Sequence, residues 1–236
     1  MARTHPAVRD KSDLSQARPA RHVRRLATAG LLVSLVLGVG VPRAHTAEPP
    51  AWLEHVISHD TSAGSGFVLR VTVAADDGFI QRHGATWQRD AASTVMGAAD
   101  RLAEIDIALQ VRHIERWTSR PVPLPDLISV VVDQVGVPDD SVLIALSTLD
   151  PRVEPNFDGW AAASVPAVVV RVDEPSNSTL DSLIAHELGH MLGLDDHGAD
   201  GCHDHGCLME GLGYRDGDHW CLHHMAAVAL MLSLVP

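Results

Sequence analysis

The twelve residues His186-Glu187-Leu188-Gly189-His190-Met191-Leu192-Gly193-Leu194-Asp195-Asp196-His197 decide how the rest of the chain is read. Imidazoles four residues apart on a helix stand one turn above the other on the same face, so His186 and His190 can share one zinc ion. Glu187 sits beside the first of them, placed to hold and deprotonate a water at the zinc and not to ligate the metal. Gly193 should end the helix, because glycine takes the left-handed conformation without steric cost. The chain then turns back, and Asp196 or His197 can reach the metal from the other side.

Upstream, the helix should begin near Ser178 or Thr179, either of which can act as N-cap, with Asp181 in its first turn. Leu180, Leu183, Ile184, Leu188, Met191 and Leu192 would seat it on a sheet. Strand candidates precede it: Ala167–Val172, the short small-residue segment Gly159–Ala163, Ser141–Leu146, and Leu127–Val132 after Pro121, Pro123 and Pro125. The segment at 159–163 reads as an edge strand able to take an extended peptide by strand addition, or as an ordinary turn. Further back, alternation of Ile105, Ile107, Leu109 and Val111 with polar partners predicts a half-buried strand. Trp87, Ala91, Val95, Ala98 and Leu102 recur at intervals of three and four and predict a helix between Thr86 and Ala103. Phe67–Val73, bounded by Gly66 and Asp76-Asp77-Gly78, predicts a first strand ending in a turn. Strand, helix, strands and helix describe an α/β (α+β) fold: a mixed twisted sheet with an early crossover helix, an active-site helix and, from Met225 to Leu234, a C-terminal helix.

The apolar fraction of 46% in 236 residues suits one medium domain with an N-terminal extra. Residues 1–47 hold 8 Lys+Arg against 2 Asp+Glu, or +6, and residues 48–236 hold 10 against 28, or −18. So acidic a domain is no partner for nucleic acid, and its acidity reads first as a solvated, self-repelling surface. The basic lead-in Arg21, His22, Arg24, Arg25 and the 16-residue apolar run Leu26–Val41 mark residues 1–47 as a signal peptide cleaved near Ala47 or as an uncleaved membrane anchor. Residues 48–62, opening on Glu48-Pro49-Pro50, read as a linker and 63–236 as the domain. The expected location is secreted or extracytoplasmic, or membrane-anchored if the apolar segment stays, and the expected state is a monomer. No serine-hydrolase elbow, phosphate loop or dinucleotide fingerprint occurs.

The run HELGHMLGLDD resembles the extended signature HExxHxxGxxH of the metzincin clan of zinc metallopeptidases, the matrixin-like enzymes among them. Asp196 stands where most of the clan has its third histidine, as it does in the snapalysin family. The resemblance implies a catalytic zinc on His186, His190 and Asp196, with His197 the rival third ligand, one residue off register. Cys207-Leu208-Met209-Glu210 is similar to the clan's methionine turn, with Met209 as the residue beneath the metal. Cys202-His203-Asp204-His205-Gly206-Cys207-Leu208-Met209 matches the C-x4-C-x-M string of archaemetzincins, whose later C-x-x-C is here Cys221-Leu222-His223-His224. Cys202, Cys207, Cys221 and His224 would make a closed structural zinc site. In an oxidising compartment two of the three thiols could instead pair as a disulfide. His203, His205, His219 and His223 read as surface or supporting histidines; Tyr214 and Trp220 read as pocket wall or core. The resulting expectation is a zinc-dependent endopeptidase acting on peptide or protein substrates with Glu187 as general base. A catalytically silent zinc-binding or adhesion module on the same scaffold is the alternative.

Overall fold

The computed structural model describes residues 50–59, 66–148, 159–162, 164–172, 180–196, 204–210 and 217–235. The signal or anchor segment therefore lies outside the described residues, as do His197, Cys202, His203, Tyr214 and both expected cap residues, Ser178 and Thr179.

A short helix α1 (Leu53–Val56) leads into strand β1 (Ile57–His59), then β2 (Phe67–Asp76), α2 (Asp77–His83), a 3-10 turn (Gly84–Thr86), α3 (Trp87–Met96), α4 (Ala99–Ala103) and β3 (Ile107–Trp117). Next come α5 (Leu124–Val135), β4 (Val142–Ser147), β5 (Gly159–Ala162), β6 (Ala167–Arg171), α6 (Leu180–Met191) and α7 (Leu222–Leu232). This is the mixed α/β architecture expected from the sequence.

β2 is the spine of the six-stranded sheet. β3 runs parallel along one side of it, while the other side is shared by antiparallel β1 at Phe67–Leu69 and parallel β4 at Val71–Ala75. β6 continues parallel to β4, and β5 closes the order as an antiparallel edge strand, so that of the two readings left open for this segment, strand or turn, the strand holds over Gly159–Ala162. Strand alternation divides the core into two layers. Val142, Ile144, Leu146, Val168 and Val170 face the layer holding α3, α6 and α7, whereas Leu143, Ala145, Ala167 and Val169 face Leu127, Ile128 and Val131 of α5.

Four expectations are corrected. The run Leu127–Val132 is not a strand but the centre of α5, which starts with Pro125 in its first turn and stops at Gly136, φ 83°. β3 and β4 are both parallel to β2, so a crossover must join them, and this requirement overrides the β-branched composition. The helix read across 86–103 is two, α3 and α4, parted at Gly97, where an added Cβ would run into the Asp181 carboxylate of α6. The Asp76-Asp77-Gly78 turn is a helix start: buried Asp76 ends β2 and caps α2, accepting from Phe79 N at 2.8 Å and Thr148 N at 2.7 Å. Nor is the stretch assigned to a linker, 48–62, wholly linker, since Leu53, Val56 and Ile57 of α1 and β1 are buried in the main core.

Candidate active site

α6 carries His186, Glu187 and His190, and it is buried along nearly its whole length. Its apolar side, Leu183, Ile184, Leu188 and Met191, packs into the main core, which fixes the direction in which the two imidazoles project. The helix ends where the sequence requires: Gly193 has φ 81°, and Leu194 N bonds back to Gly189 O at 3.0 Å. That reversal brings the Leu194 carbonyl to His190 Nδ1 at 2.8 Å and carries Asp196 in front of both rings.

The Nδ1 atoms decide the chemistry. His186 Nδ1 lies 2.7 Å from Leu208 O, and His190 Nδ1 2.8 Å from Leu194 O. A carbonyl only accepts, so each Nδ1 carries the hydrogen and each neutral ring keeps its lone pair on Nε2. The two Nε2 atoms are 3.1 Å apart, and Asp196 Oδ1 stands 3.5 Å from each. With both rings neutral, three electron-pair donors converge on one point, an arrangement that can hold a cation. Two imidazole nitrogens and one carboxylate oxygen, with the second nitrogen of each ring held by a backbone acceptor, form a donor set that fits catalytic zinc. His186, His190 and Asp196 thus meet around one point, while the rival third ligand, His197, lies outside the described residues.

Burial pulls the His186 pKa down to about 4, with the neighbouring His190 pressing the same way, and so keeps that ring neutral. Burial also opposes charge on His190, but the hydrogen bond to Asp196 and the Glu187 carboxylate carry its pKa above the usual value. Asp196 is correspondingly lowered, first by the hydrogen bond to His190. Glu187 is 4% exposed, and burial pushes its pKa up to about 7. A carboxylate tuned to neutrality is suited to accept and return a proton.

Beneath the helix lies the turn Cys207–Glu210, whose sequence is similar to a methionine turn. Met209 is fully buried, and a Cβ added to Gly189 would come 2.5 Å from its Sδ and 3.1 Å from the Trp220 ring. Gly189 is therefore a close-approach glycine, which the HELGH string contains but spacing alone does not explain. Leu208 N bonds to His219 O at 2.8 Å, pinning the turn whose carbonyl holds His186. Trp220 proves to be core, with its indole N–H donating to Arg101 O at 2.7 Å. The Leu194 and Leu208 carbonyls were invisible in the sequence because backbone acceptors leave no residue signature.

A second cluster lies behind the turn. Cys207 Sγ and Cys221 Sγ each lie 3.1 Å from His224 Nδ1, and all three side chains are buried. Three of the four residues expected to hold a structural zinc are thereby brought together, and Cys207 and Cys221 are not joined to each other as a disulfide. His205 pairs with Glu210 at 3.0 Å and His219 with Asp218 and Asp204 at 2.8 and 3.2 Å, so both are surface histidines engaged by carboxylates.

No family model and no curated protein matches the chain. Among solved structures it is similar to archaemetzincin from Methanopyrus kandleri, with 18% identity, 70% of this chain and 95% of that chain covered, and a TM-score of 0.51. It is also similar to metalloproteinase-II from Bacteroides fragilis (13% identity, 70% and 52% covered, TM-score 0.48). A further similar structure is a zinc-dependent peptidase from Methanocorpusculum labreanum (14% identity, 67% and 99% covered, TM-score 0.43). At these identities the likeness is one of fold, carried by the archaemetzincin structure.

Proposed function

We propose that this protein is an exported zinc-dependent endopeptidase, directed across the membrane by residues 1–47. The observation that carries the reading is the convergence of His186 Nε2, His190 Nε2 and Asp196 Oδ1 beside the buried Glu187. Zinc held there supplies a Lewis acid for a peptide carbonyl and lowers the pKa of a water. Glu187 takes the proton of the attacking water and returns it to the departing amine. His186 and His190 keep their lone pairs aimed at the centre because Leu208 O and Leu194 O hold the opposite nitrogens.

Edge strand β5 supports the endopeptidase form of the reading. It pairs only with β6 among the described residues and lies against α6, so an extended peptide can add to its outer side and cross the site. The Cys207, Cys221 and His224 cluster supports a second, structural zinc, with Cys202 as its fourth ligand.

Cleavage of casein or a peptide library, with and without a chelator, beside Glu187→Gln, tests the reading. Chelator and mutation should each abolish cleavage. Equal cleavage by the mutant would remove Glu187 from the mechanism, and a zinc-loaded wild type that cleaves nothing would leave a zinc-binding module.

A further inference from the structure

β5 lies against the active-site helix through its small residues. Gly159 is buried and pairs with Val170, on the side of the sheet facing α6. Trp160 pairs with Val169 and belongs to the opposite face. Ala161, back on the α6 side, packs into the main core as an ordinary small filler.

Gly159 is different. A Cβ built on it would meet Glu187 Oε1, and would lie 2.7 Å from Cδ and 2.8 Å from Cγ of the same side chain. Real Cβ atoms do not approach other heavy atoms this closely. The overlap reaches back to Cγ, so turning the carboxylate about its last bond would not relieve it. The whole outer half of Glu187 would have to swing, and burial at 4% exposure leaves it few places to go. Nor does backbone conformation account for the glycine, since Gly159 is not among the glycines with positive φ. What the missing side chain provides is room for one carboxylate.

We infer that Gly159 is a positioning residue for the Glu187 carboxylate: the bare backbone of the edge strand forms the wall against which the general base is set. This rests on the peptidase reading of the site and adds to it a reason for β5 to open on glycine. The same strand would then align the substrate and place the base. A displacement of about 1 Å in a reacting group can cost about 100-fold in rate, so one methyl group here acts on turnover beyond its cost as overpacking.

The test is Gly159→Ala in the zinc-loaded protein, with kcat, KM, zinc content and thermal midpoint measured together. We expect zinc content and KM to stay near wild type and the thermal midpoint to fall by only a few degrees, the usual effect of overpacking, while kcat falls about 10- to 100-fold. Glu187→Asp draws the carboxylate back by one methylene, so adding Gly159→Ala to it should cost much less than adding it to wild type. An unchanged kcat in Gly159→Ala, or an equal loss in both backgrounds, overturns the inference. A wild type that binds zinc yet cleaves nothing overturns the peptidase reading alone. Crystal structures of wild type and Gly159→Ala then decide the placement, which stands if the carboxylate is displaced and falls if it keeps its position.

Discussion

His186 donates its Nδ1 hydrogen to the carbonyl of Leu208 across 2.7 Å, tying the first metal-facing imidazole to the residue before Met209. The turn at Cys207–Glu210 is thus part of the site's electronics as well as its floor. A strong acceptor on Nδ1 fixes the tautomer and strengthens Nε2 as a donor. The acceptor is backbone, set in place by the Leu208 N–H bond to His219 O and by Met209, whose sulfur fills the space under Gly189.

Replacing Met209 with alanine therefore acts twice. The cavity should cost about 2–5 kcal/mol of stability. Relaxation of the Leu208 carbonyl should weaken zinc binding about 10- to 100-fold, as loss of a supporting partner generally does. Met209→Leu keeps the volume and should cost less than about 1.5 kcal/mol. Thermal melts and competitive zinc titration read the two effects separately, and unchanged zinc affinity in Met209→Ala would detach the turn from the metal.

Gly189→Ala presses on the same contact from above. Its Cβ would lie 2.5 Å from Met209 Sδ, and overpacking of this kind costs about 1–3 kcal/mol. Combined with Met209→Ala, which vacates the space, it should cost less than the sum of the single changes. Denaturant unfolding of the four proteins in the cycle measures the coupling, and strict additivity would contradict the contact.

Asp196 is exposed, and the reversal at Gly193 is what brings it in front of the two imidazoles. Asp196→Ala should release the catalytic zinc at chelator concentrations that leave wild type loaded, while His197→Ala should not. The opposite result would make His197 the third ligand.

How far the site could be read from the sequence follows the range of the interactions. His186, Glu187, His190 and the Gly193 stop belong to one helix and its end, so 3.6-residue periodicity places them. The short reversal offers Asp196 or His197, and the preference for Asp196 comes from the resemblance to the metzincin signature. Glu187 against Gly159 is a contact between a helix and a strand 28 positions upstream, and nothing in either neighbourhood announces it. The misread α5 has the same origin. Ile128, Val130, Val131 and Val132 favour a strand locally, and only the parallel pairing of β3 and β4 on β2 demands a crossover there. β1 was overlooked because three residues are too few to show alternation.

In the metal-free protein, stability should depend on pH through Glu187. Burial raises its pKa from 4.5 to about 7 in the folded state, so between those values the folded chain holds a proton that the unfolded chain has released. The group's contribution therefore falls as pH rises through that window. His186, pulled from 6.5 down to about 4, slopes the other way and masks it over most of the same range. Glu187→Gln isolates the term: relative to wild type, the chelator-treated mutant should gain stability from pH 5 to pH 8. With zinc bound the gain should shrink, because the cation favours the charged carboxylate. A mutant that tracks wild type across the range would mean that Glu187 is not held in an apolar environment.

The cluster at Cys207, Cys221 and His224 separates two chemistries that the cysteine count left open. Both sulfurs face the same imidazole nitrogen at 3.1 Å, an arrangement with two soft donors and one nitrogen around a common point. A zinc there, completed by Cys202, would tie α7 to the methionine turn through His224 and Cys207. Elemental analysis should then give two zincs per chain, falling to one in Cys221→Ser with a lower thermal midpoint. His224→Cys, which keeps a tetrahedral donor set, should retain both metals. One zinc in the wild type, with two of the three thiols unreactive until reduced, would assign the cysteines to a disulfide.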